Sequence, residues 1–161
     1  SELSEKGMSG INIARIVFVV FIVASVAIYL NALPKPPPPS FTVAGFSGFD
    51  LETGAPMAKE IRITSVSGFS SSVTLSLGAL TWPSGYNGPT TIITQFSSTT
   101  VTVPSNTYVS VTLSWTADPA IWDEWEAQTG QAPSFTVTLT VTGGGITKTV
   151  DATIRVVNMA A

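Results

Sequence analysis

The chain has 161 residues, with 7 Lys and Arg against 10 Asp and Glu, a net charge of −3, and neither cysteine nor histidine. This excludes disulfides, thiol chemistry, His-dependent catalysis and most zinc sites, and leaves no basic surface for nucleic acid. Charged residues make up 11% and hydrophobic residues 44%, and the part of the chain that follows a proline run near residue 36 is long enough for one compact domain but not for two.

The N-terminal third is dominated by "IVFVVFIVASVAIYLNALPKPPPP", which begins with nineteen uncharged residues, 16–34. Apolar character leads in earlier through Ile11 and Ile13. As one helix, residues 11–33 would reach roughly 35 Å, close to the hydrocarbon thickness of a bilayer. Being apolar on all sides, the segment does not suit an amphipathic surface helix and calls for lipid, or copies of itself, around it. It is longer than the apolar core of a cleaved signal peptide and runs into Tyr29, Leu30 and Asn31, so a retained segment is expected. Lys6 and Arg15 place its start on the inner side of a membrane and the rest of the chain outside. Gly7 and Gly10 read either as helix-weakening residues at a frayed end or as small residues that permit close helix approach.

Pro34, Pro36, Pro37, Pro38 and Pro39 end any helix, because proline lacks the N–H and biases the preceding residue toward extended geometry. Four prolines in a row favour polyproline II, a semi-rigid spacer rather than a loose tether. A stiff joint of this kind holds an outer domain at a set angle.

Beyond residue 40 the sequence alternates apolar and polar in short β-branched runs: "FTVAGF", "KEIRITSVS", "SSVTLSLG", "TTIITQFS", "TTVTV", "TYVSVTLSW", "PSFTVTLTVTG" and "ITKTVDATIRVV". With turns at "PSGYNGP", "VPSN" and "TGGG", this predicts seven to eight antiparallel strands in a β-sandwich. "ADPAIWDEWEAQTGQAP", residues 117–133, breaks the rhythm. Asp118 as N-cap, Pro119 at the first helical position, acidic residues in the first turns and Gly130 after the end predict a short helix. Trp122 and Trp125 lie three apart on one face of it, either plugging an end of the sandwich or contacting a neighbouring subunit.

Asp123, Glu124 and Glu126 cannot serve as a glycosidase pair while they are neighbours on one helix, since that chemistry needs two carboxyl groups facing across a cleft. Asp50 and Glu52 lack EF-hand spacing for calcium. No asparagine sits in an N-x-[ST] pattern, so N-glycans are not expected, whereas the many Ser and Thr on outward strand faces leave O-linked sugar open.

The short polar leader, the uniformly apolar stretch and the Ser/Thr-rich, charge-poor β domain resemble the archaeal type IV pilins and archaellins. "KGMS", residues 6–9, is similar to a prepilin-peptidase cut site, and residues 59–157 resemble the immunoglobulin-like repeats of bacterial and archaeal surface proteins. The resemblance implies an α+β class: a long N-terminal apolar helix (1–33), a proline-rich hinge (34–40) and an extracellular immunoglobulin-like sandwich (41–161). It implies a filament subunit serving adhesion, surface attachment or motility. Ile11, Ile13, Ile16, Val17, Val20 and Phe21 would pack in the filament core, as would Val23, Ala24, Ala27, Ile28 and Leu30. The implied partners are copies of the chain itself, the membrane before assembly and the pilus assembly machinery. The implied location is an extracellular cell-surface filament with a membrane-inserted precursor. No enzyme activity, cofactor, metal, nucleic acid or small-molecule substrate is expected. The competing expectation is a monotopic membrane-anchored sandwich that binds a surface-layer component.

Overall fold

The structure is a computed structural model that describes residues 34–129 and 133–158. These residues form nine strands and one helix: β1 (Ser40–Ala44), β2 (Asp50–Glu52), β3 (Met57–Val66), β4 (Ser71–Leu77), β5 (Ile92–Phe96), β6 (Thr100–Val103), β7 (Tyr108–Ala117), α1 (Pro119–Thr129), β8 (Ser134–Gly143) and β9 (Ile146–Val157).

The α+β expectation is corrected here. Among the described residues the fold is an all-β sandwich, and its single helix has 11 residues. No described helix is long and apolar enough to cross a membrane. The helix expected over 1–33, with its packing residues, lies outside the described residues. The physical reason for the all-β class is the period-two alternation that governs almost every segment from residue 40 onward, with α1 as the one interruption. The strand count is corrected as well, from seven or eight to nine.

Two sheets make the sandwich, one of four strands in the order β1-β3-β7-β5 and one of five in the order β2-β9-β8-β4-β6. All neighbours are antiparallel except β2 and β9, which run parallel through Asp50↔Arg155, Leu51↔Val156 and Glu52↔Val157. Alternation sends Phe41, Ile61, Ile63, Val111, Leu113 and Trp115 inward from the first sheet, against Leu51, Val73, Leu75, Phe135, Leu139 and Ile154 from the second, all at most 2% exposed. Each such side chain contributes about 1.5–3 kcal/mol by leaving water, which makes the shared core the main source of stability.

Two glycine sites shape the topology. At Gly45 the backbone has φ 89° and a Cβ would run into the Glu60 carbonyl, so only glycine lets the chain leave β1 here and cross to the other sheet as β2. Gly144 and Gly145, with φ 57° and 77°, form the two-residue turn between β8 and β9, whose register closes at Gly143↔Ile146. That is the type I′ geometry the strand twist favours.

The compact unit that holds the sandwich begins at Pro38, and the residues up to Pro37 form a separate unit. Pro34, Pro36, Pro37, Pro38 and Pro39 are exposed and lie in neither helix nor strand.

Candidate interaction surfaces

The described residues offer four surfaces: an aromatic end, two outward sheet faces, and the open edges of the sheets.

The aromatic end is built by α1 and the long loop between β4 and β5. Asp118 caps the helix, its Oδ1 accepting from the Ala120 N–H at 2.9 Å while its carbonyl accepts from the Ile121 N–H at 3.0 Å. Ile121 is wholly buried in the core, so α1 closes an end of the sandwich. Trp122 is half-buried, and the side chain of Trp125 lies outside the described residues. The first turn of α1 carries no acidic residue, and Asp123 and Glu124 come in the second. In the loop, Trp82 stacks on Tyr86 at 5.4 Å and leans on Phe135 at 5.0 Å, and Phe135 in turn meets Trp115 at 6.2 Å. The Tyr86 hydroxyl donates to the Pro89 carbonyl at 2.6 Å. A Cβ at Gly88 would fall 2.6 Å from that hydroxyl and 2.9 Å from Glu124 Cβ, so the loop is seated on α1. Burial, and then the Glu124 carboxylate, push the Tyr86 phenol above its ordinary value. The sequence marks "PSGYNGP" as a turn, and the signal for more than a turn is the pair of aromatics, Trp82 and Tyr86, in so short a loop.

The outward face of the five-stranded sheet is a grid of hydroxyls. Thr100, Thr74, Thr142 and Thr147 stand in register across β6, β4, β8 and β9. Ser76, Thr140 and Thr149 form the next rank. Neighbours touch: Ser72 with Thr102 and Thr136 with Thr153 at 3.3 Å, while Thr138 Oγ1 donates to Asp151 at 2.5 Å. At this sheet's β2 edge, Arg155 grips Asp50 with two hydrogen bonds, Nε to Oδ1 at 3.0 Å and a terminal nitrogen to Oδ2 at 2.6 Å. The guanidinium holds the Asp50 carboxyl below its usual range, through the hydrogen bond first and its charge second. Asp50 therefore serves an ion pair, and among the described residues no cluster of three metal-ligating side chains forms around it or elsewhere.

The outward face of the four-stranded sheet carries hydroxyls too, at Thr42, Ser110 and Thr112, and adds a charged pair. Ser110 Oγ donates to Glu60 at 2.9 Å, Arg62 pairs with Glu60 at 3.4 Å, and the Arg62 guanidinium lies 4.0 Å over the ring of Tyr108. Lys59, on the inward side of β3 with Ile61 and Ile63, lays its Nζ 4.8 Å over Phe49. On the edge strand β5, Ile93 is 63% exposed beside a cleft of about 200 Å³ lined by Gly54, Thr91, Thr116, Ala117, Asp118 and Pro119.

No protein-family model matches the chain, and no curated protein matches its sequence. Solved structures do match in fold. The ASH/PapD-like domain of human CEP192 is similar at TM-score 0.52 and 10% identity, over 79% of this chain and 92% of that one. A family 123 glycoside hydrolase from Clostridium perfringens is similar at TM-score 0.51 and 11% identity, over 76% of this chain but 28% of that one. The CooA pilin subunit from enterotoxigenic Escherichia coli is also found, at TM-score 0.41 and 15% identity over 73% of this chain and 96% of that one. At such identities the first two likenesses bear on the fold alone.

Proposed function

We propose that the chain is a structural, adhesion-related subunit of an extracellular filament. The sandwich is its outer module, and the apolar stretch 16–34 holds it in the membrane before assembly and among neighbouring copies afterwards. The observation that carries the reading is the sandwich's construction. A closed apolar core is covered by in-register Thr and Ser hydroxyls, and the chain enters it at β1 straight from a run of prolines. Such a module is built to be stable and repeated at a surface, and the proline run suits a set spacing from whatever precedes it. The second half of the proposal rests on the nineteen uncharged residues of 16–34, which need lipid or like neighbours around them.

Negative-stain microscopy of material sheared from producing cells tests this. Filaments that survive mild detergent are the expected result. Release of discrete monomers or dimers by mild detergent would overturn it in favour of a membrane-anchored sandwich that binds an envelope component.

A further inference from the structure

The four-stranded sheet has two open sides, β1 and β5, each five residues long and free of charge and proline: "SFTVA" and "IITQF". Among the described residues, no strand pairs with the outer side of either. The Ser97 N–H donates to Thr112 O at 2.8 Å, which points the odd-numbered residues of β5 toward β7. Ile92, Thr94 and Phe96 therefore turn their N–H and C=O groups to the open side. By the same reasoning, the bond from Ser65 N–H to Thr107 O at 2.8 Å points Ser65 toward β7 and Thr64 toward β1. Thr42, opposite Thr64, then faces β3, and Phe41 and Val43 present their backbone groups outward.

Four strictly antiparallel strands make these two sides complementary. The edge strands run in opposite directions, so a second copy placed by translation and twist sets its β1 antiparallel to the first copy's β5. The facing matches too. The residues with open backbone groups, Phe41 and Val43 on one side and Ile92, Thr94 and Phe96 on the other, all turn their side chains toward the core, so both copies keep their cores on the same side of a joined sheet. Two registers satisfy this with four residues of each strand paired, and they place Ile93 opposite either Thr42 or Ala44 of the next copy. Both are exposed, and Ile93 is a large apolar side chain left exposed among the described residues.

The five-stranded sheet lacks this arrangement. Its β2 edge has three residues and carries the Asp50–Arg155 ion pair, and its β6 edge has four residues and stops at Pro104. Short, charged or proline-bounded edges are the usual defences against strand addition. We propose that β5 of one copy pairs with β1 of the next, so that the four-stranded sheet continues from subunit to subunit. The contact is head-to-tail, and a head-to-tail contact that does not close generates an open polymer. It deepens the subunit reading above and rests on it.

The absence of native cysteine permits a clean test in the full chain. Outward-facing partners at this junction would be non-hydrogen-bonded pairs, with Cα atoms about 4.5 Å apart, within disulfide range. Two double variants, Ile93→Cys with Thr42→Cys and Ile93→Cys with Ala44→Cys, are isolated from cells, mildly oxidised and run without reductant beside the single Ile93→Cys variant. One double variant should give a ladder of covalent multimers, while the single variant stays monomeric. Filaments without a ladder in either double variant would overturn the edge-to-edge contact and leave the subunit reading standing. Detergent-released monomers without filaments would overturn that reading itself. A dimer from Ile93→Cys alone would show symmetric β5 pairing and overturn the head-to-tail arrangement. A charge at the junction gives an independent measure: Ile93→Lys should lower filament yield about tenfold or more, and Thr102→Lys on β6 should leave it unchanged, with both variants folded. Equal yields from the two would also sink the proposal.

Discussion

The two sheets of this sandwich share one core and end in different edges. The five-stranded sheet shows water a grid of Thr and Ser hydroxyls and shields its β2 edge with an ion pair. The four-stranded sheet pairs Glu60 with Arg62 on its outward face and, among the described residues, leaves both edges unpaired. A β-sandwich can thus divide its work by sheet: one sheet has guarded edges, and the other has edges able to accept a strand. Because the difference lies at the edges, the inward residues should show no such division.

The largest effect tests that equality. Leu113 in β7 and Leu139 in β8 are each fully buried, one from each sheet. Leu113→Ala and Leu139→Ala should each cost about 2–5 kcal/mol in a denaturant titration, by lost transfer energy plus the cavity left behind. Similar losses support a single cooperative core. A small loss at one position with a large loss at the other would show that the sheets differ inside as well as outside.

Much of this division can be read from the sequence, and the exceptions have physical causes. Eight strands are legible because one wall of each is buried and the alternation is regular, as in "SFTVTLTVTG". The ninth, Asp50–Glu52, is too short to show a period, and it exists only because Gly45 lets the chain cross between sheets. The capped start of α1 is legible in Asp118 and Pro119, since capping is a local interaction. The Asp50–Arg155 pair and the seating of Tyr86 beside Glu124 join residues far apart in the chain, and nothing local marks them. The likeness to pilins rested on residues 1–35, most of which lie outside the described residues, and what the structure adds is the edge geometry of the outer module.

A second, smaller effect concerns the four-stranded sheet's largest core residue. Trp115 is wholly buried against Phe46 at 6.4 Å, Phe49 at 5.7 Å and Phe135, and its Nε1–H has no hydrogen-bond partner among the described residues. Leaving a buried donor unpaired costs about 1–3 kcal/mol. Trp115→Phe removes that donor at the expense of a small cavity, so the two terms oppose one another. The net loss should be about 1 kcal/mol or less, below that of Leu113→Ala, although a larger side chain is cut. A loss equal to the leucine variant's would mean that cavity formation governs the site and that the unpaired donor costs little.

The smallest effect belongs to the guarded edge. Asp50 and Arg155 are both about half-exposed, and solvent and salt screen such pairs strongly. Arg155 lowers the carboxyl pKa in the folded state below the ordinary 3.8. The sign follows from linkage: a depressed carboxyl contributes stability above its unfolded pKa and loses it as pH falls through the folded value. Wild type and Asp50→Asn should therefore differ slightly at neutral pH and converge below about pH 3.8, and the gap at neutral pH should shrink as salt is added. The edge chemistry makes a separate demand on the same variant. If the ion pair is there to keep β2 from accepting strands, Asp50→Asn should raise non-specific association at low salt by more than its small stability change predicts, as read by light scattering of the folded chain. Scattering that tracks stability alone would reduce the pair to a fastener between β2 and β9, and would leave the short length of β2 as the sheet's only defence on that side.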